Sequence, residues 1–150
     1  MPDRAGNTLL SAKKLTSLQS IPVSVKDAVD QQDNNDLYRF RLGERSSLNL
    51  QLSGVQKGAK VLVELLTLKG NQDKVFRRIG KTEFSDLKPT AIRSNFTSIT
   101  RAIVPGQTNQ SLTALLNTGE YYLRIARVKN QSWYQLKIAT SLDSTVSPTI

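Results

Sequence analysis

The chain contains no cysteine and no histidine. The first absence excludes disulfides, thiol nucleophiles and thiolate metal sites. The second excludes imidazole triads, His-based proton relays and Cys/His zinc sites. Aromatic residues are sparse at 6%, with one Trp and one Met. No apolar run reaches the ~18 residues that a membrane-spanning helix needs. Catalytic signatures are missing as well: there is no Gly-rich phosphate loop, no GxSxG elbow and no HExxH pair. Ser11-Ala12-Lys13-Lys14 matches Ser-x-x-Lys, but the SDN and KTG companions that give that motif its chemistry are absent, so the match is coincidental. Glu64 in an apolar run and Glu120 at the start of another are candidates for general-acid work. Such residues more often point outward or pair with Arg. The expectation is a protein that is not an enzyme.

What is present is length, charge and alternation. At 150 residues and 16.7 kDa the chain suits one domain, expected over 1–142, with a mobile tail from Asp143 to the end that has little to bury. Lys and Arg number 21 against 12 Asp and Glu, a net charge of +9. Such an excess attracts polyanions and also keeps a protein soluble. The opening MPDRAGNTLLSAKK has no basic stretch followed by an apolar one, so it does not read as a signal peptide. The chain then either works in the cytoplasm or begins after a removed leader.

The dominant sequence period is two. Tyr38, Phe40 and Leu42 share one face of LYRFRL; Leu48, Leu50 and Leu52 share one face of SLNLQLS; Tyr134, Leu136 and Ile138 share one face of WYQLKIA. Asn49 and Gln51 alternate with those leucines and point outward. Residues 61–68, VLVELLTL, fit a strand covered on both faces or a short buried helix, and Val61 and Val63 favour the strand. Residues 120–128 form another strand behind the turn Asn117-Thr118-Gly119. Weaker strands are expected near 21–26, 75–79 and 97–104, and a turn or two of helix after Thr8. Gly43–Ser46 reads as a hairpin connection. About eight short strands at this spacing predict an antiparallel β-sandwich.

Two charge features interrupt the pattern. Asp27, Asp30, Asp33 and Asp36 form an acidic island, whereas Lys69, Lys74, Arg77, Arg78, Lys81, Lys88 and Arg93 make 69–93 basic. The basic stretch contacts a polyanion by charge or is a solvated loop. The outward parities of Arg39 and Arg41, of Tyr122 and Arg124, and of Trp133 and Lys137 offer a ligand-binding surface. If those strands adjoin, it is a basic face with aromatic platforms for a polyanion or a glycan. Otherwise these residues cap and solubilise the sheets. A structural subunit of a larger assembly is a third reading.

The order of several segments is familiar: DRAGNTLLSAKKL at 3–15, DNNDLYRFRL at 33–42, SSLNLQLSGV at 46–55, VELL at 63–66, KGN at 69–71, NTGEYYLRI at 117–125 and WYQLKIATS at 133–141. Together they resemble the bacterial pre-peptidase C-terminal domain, which is similar to the collagen-binding domains of clostridial collagenases. That resemblance implies a jelly-roll-like all-β sandwich. It also implies a non-catalytic accessory module of an exported bacterial protein, extracellular or periplasmic, engaging an extracellular polymer or a protein surface. For some members it implies calcium where an N-terminal segment docks beside an Asp-x-x-Asp strand start. The matching residues are Asp33 and Asp36, with Asp3 and Asn7 from the N-terminal segment and Asp30 nearby. Calcium takes six to eight oxygens, several from carboxylates. The same Asp and Asn residues also suit ordinary turns, where their side chains bond nearby backbone amides.

Overall fold

The computed structural model describes residues 6–15, 23–32 and 34–142. Among the described residues nine strands form two sheets: β1 (Lys13–Lys14), β2 (Val23–Val29), β3 (Asn35–Leu42), β4 (Ser46–Ser53), β5 (Lys60–Leu68), β6 (Phe96–Pro105), β7 (Gln110–Leu116), β8 (Gly119–Lys129) and β9 (Ser132–Leu142). One sheet has the order β1-β3-β8-β5-β6 and the other β2-β9-β4-β7. All pairs are antiparallel except the two-residue β1, which runs parallel to β3. The all-β sandwich expected from the period-two pattern is therefore the fold. The tail expected to be mobile lies outside the described residues.

The alternating residues do what alternation dictates. Tyr38, Phe40, Val61, Val63, Leu65, Leu123 and Ile125 of one sheet meet Leu48, Leu50, Leu52, Tyr134, Leu136 and Ile138 of the other in one buried cluster. A polar chain crosses this interior. The Tyr134 hydroxyl donates to Asp36 Oδ2 at 2.5 Å and, its own proton so committed, accepts from Tyr38 at 2.6 Å. Asp36 and Tyr38 stand two residues apart on β3 and so share its inward face. Tyr134 reaches them from the opposite sheet.

The five-stranded sheet is covered on its other face too. Leu37, Leu66 and Tyr122 point away from the sandwich interior into a second buried cluster with Leu9, Ala12, Val75, Ile79, Phe84 and Phe96. The cover is helix α1 (Gln72–Ile79), a 3₁₀ turn over Phe84–Asp86, helix α2 (Pro89–Asn95) and the turn around Leu9. Helix α1 replaces the strand expected near 75–79. Val75 and Ile79, four apart, are buried on one helical face, and the Asn71 side chain caps the helix by accepting from the Lys74 amide at 3.2 Å. Pro89 opens α2, the position where its missing N–H costs nothing. The basic stretch is thus a folded layer whose buried side is apolar and whose cations face outward.

Two further expectations change, and β7 is a strand for which there was none. Gly43–Ser46 is not a hairpin, because β3 and β4 belong to different sheets and the segment carries the chain across the sandwich edge. β7 lacks a strong sequence signal because its inward residues Leu112 and Ala114 are only partly covered. Thr8 to Ser11 forms a hydrogen-bonded turn and not a helix.

Two substitutions test this layering. Phe84→Ala removes the side chain that packs on Phe96 at a ring separation of 5.4 Å and is expected to cost about 3–5 kcal/mol in urea denaturation. Ile103→Ala, half-exposed on β6, is expected to stay within about 0.5 kcal/mol of wild type.

Candidate functional site: an open sheet face and a basic cleft

The two outer faces of the sandwich differ in kind. On the four-stranded sheet the inward parity takes most of the apolar residues and leaves Lys26, Gln135, Gln51, Asn49 and Thr113 outward on adjacent strands, with Leu115 exposed at the β7 edge. The described outward positions of β2, β9, β4 and β7 include no carboxylate. Trp133 stands at one end of this face, 52% exposed, opposite the small Ala28. Four residues along β9, about 13 Å away, a shallow depression of about 220 Å³ lies between Asn49, Gln51, Ser111, Lys137 and Ala139. It forms where Ala139 interrupts a row of longer side chains.

The five-stranded sheet presents charge that is already engaged. Arg124 on β8 donates through Nε to Asn35 Oδ1 at 2.8 Å and through Nη1 to Glu64 Oε1 at 3.2 Å, with its guanidinium 4.5 Å above the Phe84 ring. Ser98 donates to the other Glu64 oxygen at 2.8 Å. Burial lowers the Arg124 pKa from its ordinary value, opposed by the Glu64 carboxylate. This cluster fastens the helical cover to the sheet. Glu64 faces Arg124 in register, so Glu120 lies four residues farther along β8. At about 13 Å the two carboxylates are too far apart to act on one bond.

The expected continuous surface over β3, β8 and β9 is corrected by the topology. Arg39 and Arg41 on β3 and Arg124 on β8 belong to one sheet, Trp133 and Lys137 to the other, on opposite sides of the molecule. Tyr122 is no platform: it is fully buried under the helical layer. Its parity is outward, as the alternation predicts, but α1 covers that face, and the short segment 75–79 reads as strand in the sequence.

Arg39 retains a different setting, at a cleft of about 260 Å³ lined by Lys14, Arg39, Arg41, Gln72 and Glu120. Lys14 and Gln72 carried no sequence signal of their own, since β1 is two residues long and α1 read as strand. The Tyr122 hydroxyl lies beneath Arg39 and Gln72 without a well-formed hydrogen bond. Burial first, then the Glu120 charge, pushes its pKa up to about 12, against the pull of Arg39.

Of the calcium candidates, Asp3 and Asp33 lie outside the described residues. Asp36 is fully buried and bonded to Tyr134. Asp30 accepts from the Gln32 amide at 2.8 Å, which is turn chemistry. Gly6 bridges Leu37, which sets Asn7 beside the start of β3, and Asn7 Oδ1 is buried without a partner. Among the described residues no three Asp or Glu side chains converge as a metal site. The Asn-x-Ser/Thr pattern at Asn95 is closed to glycosylation in the folded chain, because that side chain is buried between Arg78 and the Ala91 carbonyl.

No protein-family model and no curated protein matches the chain. Solved structures do. The pre-peptidase C-terminal domain of a collagenase from Bacillus anthracis is similar over 92% of this chain and 97% of its own, with 13% identity and a TM-score of 0.52. A surface-associated copper-binding protein of Methylomicrobium album is similar over 79% of this chain and 93% of its own, at 10% identity and a TM-score of 0.53. The mitogen derived from Yersinia pseudotuberculosis is similar over 84% and 91%, at 11% identity and a TM-score of 0.50. The likeness to the pre-peptidase C-terminal domain that the order of segments suggests is thus matched at the level of the fold. No helix among the described residues is long and apolar enough to cross a membrane.

The raised pKa values set a pH dependence. Tyr122, and Tyr134 with its pKa raised well above 10 by burial and then by Tyr38 and Asp36, ionise more readily in the unfolded chain than in the folded one. Their contribution is therefore complete below pH 10.0 and is lost as pH rises above it. Between pH 10 and 11.5, Tyr122→Phe is expected to remove up to about 1.4 kcal/mol per pH unit from the slope of stability against pH. Urea midpoints of the two proteins across that range, compared pairwise so that lysine ionisation cancels, measure it.

Proposed function

We propose that the chain is a non-catalytic binding module that holds an extended, uncharged polysaccharide against the outer face of its four-stranded sheet. One observation carries the reading: a half-exposed Trp133 lies in line with a depression flanked by amide and hydroxyl side chains, on a face whose strands present no carboxylate outward. An indole offers a flat apolar surface to the C–H face of a sugar ring, and Asn49, Gln51 and Ser111 both donate and accept hydrogen bonds to its hydroxyls. In a chain of net charge +9 this face carries only Lys26 and Lys137 on its strands, so a polyanion is not its natural partner. We place the module in an exported bacterial protein. The collagenase domain and the surface-associated protein that share its fold support that context.

Trp133 is the only tryptophan, so its emission reports on this face alone. Titration with a soluble β-1,4-glucan, a β-1,4-xylan and amylose is expected to shift that emission with at least one of them, with an affinity that stays flat from low to physiological salt. Trp133→Ala is expected to weaken retardation in the matching affinity gel about tenfold or more. If none of the three polymers binds, or if the alanine variant binds as well as wild type, the proposal is wrong.

A structural calcium at the start of β3 is the second part of the proposal, supported by the Gly6–Leu37 bridge and the unpartnered Asn7 Oδ1. The residues proposed to hold it are Asp33 and Asp36, with Asn7 and Asp3 from the N-terminal segment; Asp30 keeps its turn role. Millimolar calcium, but not magnesium, is expected to raise the thermal midpoint of EDTA-treated protein by several degrees. Asn7→Ala is expected to abolish the rise. An unchanged midpoint contradicts the site.

A further inference from the structure

We propose that the cleft between the β1–β3 edge and helix α1 binds a compact dianionic oxyanion, a phosphate or sulfate group. The site is independent of the polysaccharide face, on the opposite side of the sandwich. Its lining sets three cations, Lys14, Arg39 and Arg41, against the single carboxylate of Glu120, so a dianion balances it. Glu120 does not satisfy Arg39. Gln72 Nε2 donates to Glu120 Oε2 at 2.9 Å and holds that carboxylate to one side, while Arg39 Nη1 reaches Oε1 only at 3.8 Å, beyond hydrogen-bond range.

Two polar atoms below the cleft lack a well-formed hydrogen bond. Arg39 Nε and the Tyr122 hydroxyl are both shielded from water, and the hydroxyl has only the loose approach of Arg39 and Gln72. They stand across from one another in the β3–β8 register. Folded proteins seldom leave such groups without an acceptor, because they lose water and gain nothing in return. An oxyanion supplies acceptors for both. The Arg39 side chain is 30% exposed, so its guanidinium can turn its edge toward an entering anion while its stem stays on the sheet. The planar guanidinium fork matches a pair of oxygens, and Lys14 adds a point charge from the neighbouring strand. The Tyr122 phenol keeps its proton far above neutral pH and serves as a donor at the floor.

The ligand is either a free ion or a group carried on a polymer, and the test separates the two. The thermal midpoint of the full chain is measured with millimolar inorganic phosphate, inorganic sulfate or a short sulfated oligosaccharide, each against sodium chloride at equal ionic strength. Low concentration keeps general salting-out stabilisation small. Phosphate and sulfate are expected to raise the midpoint by several degrees over chloride. Arg39→Gln is expected to weaken the apparent affinity about tenfold or more, and Lys14→Gln, exposed at the rim, to weaken it in the same direction. Tyr122→Phe should lose affinity without losing the fold. Lys57→Gln removes a cation from a distant turn and should change nothing. A tighter oligosaccharide assigns the group to a polymer; equal or weaker binding assigns the free ion. No rise beyond chloride, or a rise that Arg39→Gln and Lys14→Gln both retain, overturns the proposal.

Discussion

The nine-residue strand β5 is apolar on both sides, and the organisation of the molecule follows from that constraint. Val61, Val63 and Leu65 fill the sandwich interior, but Leu66 faces the other way and must also leave water. A strand buried on both faces needs a cover on each. The four-stranded sheet supplies one. The segment between β5 and β6, with the turn around Leu9, supplies the other as a thin helical layer. Arg124 joins that layer to the sheet by pairing with Glu64 while lying over Phe84. Because the cover is spent on one sheet, the outer face of the other is left open, mostly polar, with Trp133 and Leu115 exposed on it.

The interior carries a second device. The Tyr38–Tyr134–Asp36 chain joins the two sheets through hydroxyls and one carboxylate in an otherwise apolar cluster. Burying a carboxylate is unfavourable unless its oxygens are bonded. This network therefore fixes how the sheets are set against one another more than it adds to stability. It also gives Asp36 a structural role whether or not a cation binds at the start of β3.

The fold was legible where one periodicity acted alone. Strict alternation in 37–42, 47–53 and 133–139 identified the inward leucines and aromatics, and with them the outward Asn49, Gln51 and Trp133. It failed where the period was short and mixed. VFRRI at 75–79 has too few residues to separate a strand from a helix, and the Asn71 cap is the signal that decides it. Parity also says nothing about which sheet a strand joins. Arg39 and Trp133 both point outward, as their parity predicts, yet they lie on opposite faces because β3 and β9 belong to different sheets. Cleft residues such as Gln72 and Lys14 come together only through tertiary packing, which no local pattern encodes.

The proposed binding role requires that the four-stranded face is open and that Trp133 stands on it. Collisional quenching of the single tryptophan by acrylamide and iodide tests this in the free protein. Red-shifted emission quenched efficiently by both agents is the predicted result, with iodide helped by the nearby lysines. A blue-shifted emission that neither agent quenches would mean that another part of the chain covers the face, and would contradict the account.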